Sequence, residues 1–198
     1  MNLQSDASNE MVLIERIKQG ERLGFDRLVS LYQQRGLNIA YNLVGNLEDS
    51  RDVLQEAFIK VYLNIEDFRG KSQFYTWFYR IVVNCALDLL RKKKKMSCVF
   101  TESHIDEEGQ EKEVQIPDTR FDPAKIAQAR EFQFNLDNCI ANLPEKQRTC
   151  FVLKHKNGLS TSEIAQVLKC NPSTVKVHLF RAIKNLQKSL SIYNLGGA

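Results

Sequence analysis

The chain has 198 residues, of which 43% are hydrophobic, with only nine glycines and four prolines. This length accommodates two small hydrophobic cores, and the scarcity of glycine and proline is typical of a mostly helical protein. The net charge of +4 is modest, so the distribution of charge indicates more about partners than the sum does. The N-terminus has no signal-peptide pattern, and no apolar run approaches the ~20 residues that cross a bilayer. We therefore expect a cytoplasmic protein that is not itself a membrane protein.

The first 95 residues are predicted to form consecutive helices. The 3.6-residue periodicity of apolar positions predicts helices at residues 10–18, at 25–44, from Asp49 onward, and at 75–94. Asp49 is interpreted as the cap of the third helix. The apolar residues of that helix lie on one side, and acidic and amide side chains lie on the other. Residues 68–74 form a loop before the last helix.

The helical periodicity disappears between residues 96 and 123, where polar residues dominate. Glu102–Glu113 is strongly acidic, which favours an extended and solvated segment. Periodicity returns at Ala124, and no alternation is long enough to build a sheet. We expect an all-α protein of two small helical domains, residues 1–95 and 124–190, joined by an acidic flexible linker over 96–123.

An aromatic and basic segment follows the third helix. Six of the 18 aromatic residues fall between Phe68 and Tyr79, beside a loop that contains Gly70, and Lys92–Lys95 lie downstream. Aromatic rings stack on unpaired bases with about 1–3 kcal/mol per base, while basic side chains neutralise phosphates. Trp77 and Phe78 are expected in the core. The candidate single-strand contacts are Phe68, Arg69, Lys71, Phe74, Tyr75, Arg80, Asn84 and Arg91.

Residues 159–188 have the layout of a helix-turn-helix. Ser160 and Glu163 have capping-box spacing, and Asn171 precedes Pro172 as a cap precedes the first helical position. In this motif the second helix enters the major groove of duplex DNA. Its expected buried positions are Val175, Leu179, Ile183 and Leu186. Its expected DNA-facing positions are Ser173, Thr174, Lys176, Val177, His178 and Arg181. The alternative is a helical hairpin that serves only packing.

Metal and enzyme chemistry are not indicated by the sequence. The five cysteines form no CxxC pair, and His104, His155 and His178 are not clustered. There is also no phosphate-binding GxxxxGK[ST] motif. We expect no catalytic residue, no metal and no cofactor. A redox role for Cys98, in the predicted linker, is left open.

Four segments resemble, in order, those of the extracytoplasmic-function (ECF) group of sigma-70-type sigma factors, most nearly the sigma-E-like branch. They are DVLQEAFIKVY at 52–62, FRGKSQFYTWFYRIVVN at 68–84, LPEKQR at 143–148 and LSTSEIAQVLKCNPSTVKVHLFRA at 159–182. A helix-turn-helix alone would be weak evidence. The ordered series on both sides of a linker is specific to this family.

The resemblance implies a bacterial RNA polymerase subunit with a region 2 and a region 4 domain. It implies that a face carrying Asp49, Asp52, Gln55 and Glu56 docks on the clamp helices of core RNA polymerase. It implies that the segment 68–91 binds the opened −10 element of promoter DNA, and that the helix-turn-helix binds the duplex −35 element. Such factors serve stress-response regulons and are held inactive by an anti-sigma factor, often membrane-bound. Val177 stands where a small polar residue is common in sigma-E-like relatives, so the −35 preference can differ.

Two other functions compete with this interpretation. A free-standing regulator would use only the helix-turn-helix, with the N-terminal half as a dimerisation domain, which leaves the aromatic segment without a purpose. An enzyme acting on nucleic acid would need clustered carboxylates or histidines that the sequence does not offer. The three are separated by whether the purified chain binds promoter duplex unaided or only with core RNA polymerase.

Overall fold

The computed structural model describes residues 3–100 and 123–194, with side chains over 10–96, except Arg22, and over 130–191. Within these two ranges the regular structure is entirely helical. The N-terminal domain contains α1 (Leu3–Lys18), α2 (Arg22–Val44), α3 (Leu47–Asn64), a 3-10 turn (Ile65–Asp67) and α4 (Phe74–Phe100). No helix in the described ranges has the length and apolar character needed to span a bilayer.

The N-terminal core lies where α2, α3 and α4 pack against one another, with α1 against α2. Its fully buried side chains include Ile14, Leu28, Ile39, Val53, Val61, Phe74, Phe78 and Val82. Gly36 lies at the crossing of these helices, because a Cβ there would stand 2.6 Å from Leu54 Cδ1 and 2.9 Å from Phe78 Cζ. The close approach of three helices therefore depends on a residue without a side chain.

The start of α3 differs from the prediction. Asn46, not Asp49, is the N-cap: its side-chain oxygen accepts a hydrogen bond from the Asp49 amide at 2.8 Å. Gly45 ends α2 in the left-handed conformation with φ +89° and leaves Asn46 free to cap the next helix. Asp49 sits at the third helical position, where a carboxylate complements the helix dipole.

Helix α4 is longer than expected. It continues through Phe100, past the predicted end at Lys94 and into the predicted linker. The remainder of that linker, residues 101–122, lies outside the described residues, and so does the acidic stretch within it.

The C-terminal domain is built around α8. It contains α5 (Pro123–Ala141), α6 (Glu145–Phe151), a π-helical turn (Val152–Lys156), α7 (Thr161–Leu168) and α8 (Pro172–Asn194). Helices α5, α6 and α7 all pack on α8. The predicted capping box at Ser160 and Glu163 is present, and Lys169 adopts φ +51° in the turn before α8. The helix-turn-helix prediction is confirmed at this level.

Two of the four predicted buried positions of α8, Val175 and Leu186, are buried. Leu179 is half-buried against the core, whereas Ile183 is 41% exposed and Ala182 is fully buried in its place. Helices α6 and α7 both pack on α8.

The two domains touch. Helix α7 packs against α4, and the π-helical turn contacts α2. These contacts determine which of the predicted DNA-binding residues are covered and which are exposed.

Candidate nucleic-acid interface

One face of α4 carries the polar residues that the sequence singled out. Arg80, Asn84, Asp88 and Arg91 recur at intervals of three or four residues, so they lie on one side of the helix. Asn84 and Arg91 are exposed, and Arg80 is half-buried. The exposed Lys92–Lys95 follow on the next turn. This face combines an amide with positive charges and suits bases and phosphates.

Phe68 and Phe74 do not fit the expected stacking role in this conformation. They are only 4% and 1% exposed, and their rings contact each other at 5.6 Å between centroids. Phe74 also stacks on Phe78, which is fully buried. The aromatic density that suggested base stacking is here mainly the core of the N-terminal domain. Tyr75 is the candidate ring that is partly accessible.

A cleft of about 650 Å³ lies beside the loop that precedes α4. It is lined by Glu10, Met11, Gly70, Lys71, Ser72, Gln73, Phe74 and Gln166. Gly70 adopts φ +67°, which turns the chain sharply there. Arg69 and Lys71 are exposed on this loop. Of the two, Lys71 lines the cleft, which also contains the acidic Glu10.

Three candidate residues of α4 are bound by the C-terminal domain. Tyr75 Oη donates to Glu163 Oε1 at 2.5 Å, and Arg80 Nη2 donates to the Gln166 carbonyl at 2.8 Å. Arg91 forms a two-pronged pair with the Glu145 carboxylate, at 2.7 and 3.2 Å. No local sequence pattern could have revealed them, because 88 residues separate Tyr75 from Glu163.

The pKa shifts agree with this contact. Burial, and the hydrogen bond to Glu163, raise the pKa of Tyr75. Burial alone would raise the pKa of Glu163. Hydrogen bonds from Ser160 and Tyr75 outweigh burial and lower it. The pair is therefore a neutral phenol donating to a carboxylate, which is a charge-assisted hydrogen bond.

The outward face of α8 is open. Ser173, Thr174, Lys176, Val177 and Arg181 are all exposed, as predicted. His178 is half-buried, and its Nδ1 is buried with no hydrogen-bond partner among the described residues. Burial, with the charges of Lys146 and Arg181, lowers the pKa of His178.

Phe180 is a surface residue of α8 that the sequence analysis missed. It is 69% exposed. At 100° per residue it lies, with Ser173 and Val177, on the side of α8 that points away from the domain core. Its three-residue spacing from Val177 was the available signal. This side of α8 therefore carries the apolar side chains of Val177 and Phe180 and the hydroxyl of Ser173. Lys176 lies on one flank and Arg181 on the other.

The exposed face of α3 differs from both DNA faces. Asp52, Gln55 and Glu56 are exposed there, with Glu56 paired to Lys60 at 2.7 Å. The same face continues into Ile59 and Leu63, the latter 71% exposed, which the sequence analysis did not single out. Tyr62 is also exposed and packs its ring edge-on against Phe25.

Asp49 lies on the same side of α3, but only 14% of its side chain is exposed. Its carboxylate accepts from Lys93 at 2.6 Å and from Asn46. Burial alone would raise the pKa of Asp49. The two hydrogen bonds outweigh burial, so the pKa is lowered. The side chain therefore fastens α3 to α4.

The described residues contain no group of three or more His, Cys, Asp or Glu side chains placed to hold a metal ion. Cys85, Cys139 and Cys150 are buried with free thiols. Burial raises the pKa of Cys150 to about 12, so this thiol is unreactive at neutral pH. The side chain of Cys98 lies outside the described residues.

Comparison with known proteins connects the two domains to one family. The model of Sigma-70 region 2 matches residues 28–96, and that of Sigma-70, region 4 matches residues 133–186. The RNA polymerase sigma-H factor of Pseudomonas aeruginosa is 35% identical over 178 residues, covering 90% of this chain and 92% of the relative. The ECF RNA polymerase sigma factor SigW of Bacillus subtilis is 34% identical over 184 residues, covering 91% and 98%.

The ECF RNA polymerase sigma-E factor of Escherichia coli is also 34% identical, over 90% of this chain and 92% of its own. The chain belongs to the ECF sigma factors. Sigma factors are transcription initiation factors rather than catalysts. The predicted all-α architecture, with a region 2 and a region 4 domain, is confirmed for this sigma factor.

Solved structures share the fold of this sigma factor. CnrH in complex with the cytosolic domain of CnrY has a TM-score of 0.63 at 22% identity, covering 91% of this chain and 96% of that one. The sigma factor RpoE of Bartonella quintana, in complex with the anti-sigma factor NepR, has a TM-score of 0.61 at 19% identity, covering 85% and 97%. The match of region 2 gives the N-terminal half a role, which disfavours a free-standing helix-turn-helix regulator.

Proposed function

We propose that this sigma factor docks on core RNA polymerase through the exposed face of α3. Asp52, Gln55 and Glu56 supply a polar, acidic half of that face, and Ile59 and Leu63 supply an apolar half. Exposed apolar side chains next to charges are typical of a protein interface, where the apolar part provides affinity and the charges provide orientation. Asp49, nearer the start of α3, is occupied by its ion pair with Lys93 of α4.

The opened −10 strand is assigned to α4 and the loop before it. Arg69 and Lys71 attract phosphates, and Asn84 is the exposed amide that can pair with a base edge. The cleft beside Lys71 lies within the ~300–1,000 Å³ range of pockets that hold small molecules, so an extruded base fits its size. Tyr75, Arg80 and Arg91 belong to the same surface once the C-terminal domain has moved away.

The duplex −35 element is assigned to α8. Lys176 and Arg181 are five residues apart and therefore about 140° apart around the helix axis. They cannot both point into the groove, so one contacts bases and the other contacts the backbone. Val177 and Phe180 project between them, and an apolar side chain in the major groove recognises the methyl group of thymine.

An anti-sigma factor is the proposed regulatory partner. The two solved structures with the same fold are named as complexes, one with the cytosolic domain of CnrY and one with the anti-sigma factor NepR. By the same logic this chain is held inactive by a protein that covers its polymerase or promoter surfaces. We propose that it acts in the cytoplasm, carries no catalytic step of its own, and directs polymerase to a stress-response regulon.

The observation that carries the proposal is the presence of two separate DNA-suited faces, on α4 and α8, in one chain with an exposed docking face on α3. In vitro transcription tests it. Core polymerase plus the purified chain should initiate at a promoter at which neither initiates alone. If the chain binds promoter duplex tightly by itself but does not associate with core polymerase, the docking role is lost and a free-standing regulator is favoured.

A further inference from the structure

One flank of α8, the flank beside α6, gathers basic side chains. His178 and Arg181 share this flank, since residues three apart lie about 60° apart around a helix. Asn185 of the same flank donates to Gln147 of α6 at 2.8 Å, which places α6 alongside it. Lys146 of α6 and Arg181 are both exposed, and the charges of both act on the His178 ring. Three basic groups from two helices therefore meet at one place on the surface.

The two permanent cations of this flank are not neutralised by the chain. Among the described residues, no carboxylate forms an ion pair with Lys146 or Arg181. From α5 and α7, which also pack on α8, no described charge acts on the His178 ring. Uncompensated and exposed cations at close range attract an anion from solution.

The His178 ring has one nitrogen that the domain leaves unsatisfied. Nδ1 is buried and has no hydrogen-bond partner among the described residues. Burial, with the charges of Lys146 and Arg181, lowers the pKa of His178, so the ring is neutral in the free chain near pH 7. Buried polar atoms in folded proteins are nearly always hydrogen-bonded, so this nitrogen indicates a partner that comes from outside the chain.

A backbone phosphate of duplex DNA meets both requirements. An α-helix that fills the ~12 Å major groove has a phosphate backbone along each of its flanks. The phosphate oxygens accept hydrogen bonds from several donors at once, and the phosphate charge offsets the two cations that keep the ring neutral. A phosphate at this flank therefore favours the protonated form of His178, whose N–H groups it can accept.

We propose that Lys146, His178 and Arg181 form a phosphate site for the −35 duplex, and that His178 takes up a proton from solvent when this phosphate binds. The proposal rests on the proposed role of α8 in −35 recognition. Promoter binding is then coupled to pH. The added affinity is fully present below the pKa of His178 in the free chain, and it is lost as pH rises through the higher pKa of the DNA-bound form.

The test uses holoenzyme and two promoter DNAs that share one pre-opened −10 region. One DNA carries the −35 duplex and the other ends before it, so the ratio of the two affinities isolates the −35 contribution. Between about pH 7.5 and about pH 5.5 we expect the wild-type ratio to rise about fivefold. His178→Gln should keep the low ratio at both pH values, and His178→Arg should keep the high ratio at both. His155→Gln, at an exposed position of the π-helical turn, should follow the wild type.

Lys146→Ala tests the phosphate site separately from the proton. It should lower the −35 contribution about fivefold for every −35 sequence and make the salt slope shallower by about 0.9. Arg130→Ala, which removes the same charge from an exposed position of α5, should change neither.

Each part of the proposal has its own contrary result. A pH profile of His178→Gln that matches the wild type would overturn the proton uptake. Equal behaviour of Lys146→Ala and Arg130→Ala would overturn the phosphate site while leaving −35 recognition intact. If wild-type holoenzyme binds the two DNAs equally at every pH, the role of α8 itself is overturned, and the phosphate site with it.

Discussion

Helices α4 and α8 both carry candidate DNA contacts, yet the structure presents them differently. Five of the six candidate residues of α8 are exposed, whereas Tyr75, Arg80 and Arg91 of α4 are hydrogen-bonded to the other domain. The two candidate DNA surfaces of this chain therefore differ in accessibility, although both carry basic and polar side chains.

The contact on α4 combines two stabilising interactions with one unsatisfied donor. A hydrogen bond to a charged group, such as that of Tyr75 with Glu163, contributes about 1.5–3 kcal/mol. An exposed ion pair, such as Arg91 with Glu145, contributes about 0.2–1 kcal/mol. The buried and unpaired Arg80 Nε opposes these terms by about 1–3 kcal/mol. The net free energy contributed by these groups is therefore small.

The largest effect is expected from charge reversal on α3. Asp52→Arg with Glu56→Arg should abolish association with core polymerase, because both side chains lie on the exposed docking face. Co-purification with core enzyme and circular dichroism measure the effect. Glu21→Arg with Glu131→Arg, two exposed sites elsewhere, is the control, and undiminished association of the docking variant would place the surface elsewhere.

The next effect separates base recognition on α4 from attraction to phosphates. Asn84→Ala should weaken promoter opening by about 1–3 kcal/mol and relax preference at one −10 position, since an amide pairs with a base edge. Asn38→Ala, another exposed helical asparagine, should leave opening unchanged. Permanganate footprinting on a panel of −10 mutants is the measurement. An unchanged profile would make Asn84 a structural residue.

Local signals predicted the C-terminal domain better than the N-terminal surface. The capping box at Ser160 and the Asn171–Pro172 start of α8 follow from short-range hydrogen bonding and appear as predicted. The cap of α3 was displaced to Asn46 because Gly45 ends α2 immediately before it. Such an error of three residues arises when two polar residues compete for one cap.

Burial and domain contacts were beyond the sequence. The rings of Phe68 and Phe74 could equally stack on bases or fill a core, and only packing against Phe78 and Trp77 decides between these. The exposure of Phe180 and the burial of Ala182 were missed for one reason. Periodicity indicates which face of a helix is buried but not how wide that face is. The Tyr75–Glu163 contact depends on how two domains meet, for which one sequence carries no local signal.

On α8 the roles of Lys176 and Arg181 can be distinguished by separate substitutions. Arg181 is farther from the helix N-terminus, so it is the expected phosphate contact, and Arg181→Ala should lower binding to all −35 variants with a salt slope shallower by about 0.9. Lys176→Ala should instead re-rank the variants. Transcription from a −35 panel at two salt concentrations measures both. Re-ranking by Arg181→Ala alone would exchange the two roles.

A smaller effect is expected at the exposed apolar residue Phe180 of α8. Phe180→Ala should reduce discrimination for one thymine at −35 by about 0.8 kcal/mol, or about fourfold, because one methyl group loses its apolar contact. Phe134→Ala, an equally exposed phenylalanine of α5, is the matched control. The measurement compares thymine with uracil at each −35 position. If no position responds to loss of the methyl group, Phe180 does not contact a base.

The smallest effect concerns pH. Burial lowers the pKa of His178, so the folded domain prefers the neutral ring. Below the ordinary value of 6.5 the unfolded chain binds the proton more readily, and stability therefore falls as pH drops through 6.5 toward the folded value. His178→Gln should flatten this fall, measured as urea midpoints above and below pH 6.5. His155→Gln, at an exposed position, should retain it; an unchanged slope in His178→Gln would remove His178 as its cause.

Photo-cross-linking from the two helices tests the central claim most directly. A photoreactive residue at Asn84 on α4 and another at Val177 on α8 would be compared in the free chain and in holoenzyme on the same partly opened promoter DNA. We predict that in holoenzyme the probe at 177 cross-links to the −35 duplex and the probe at 84 to the −10 strand, and that neither probe cross-links comparably in the free chain. Equal cross-linking from position 84 in both forms would contradict the account.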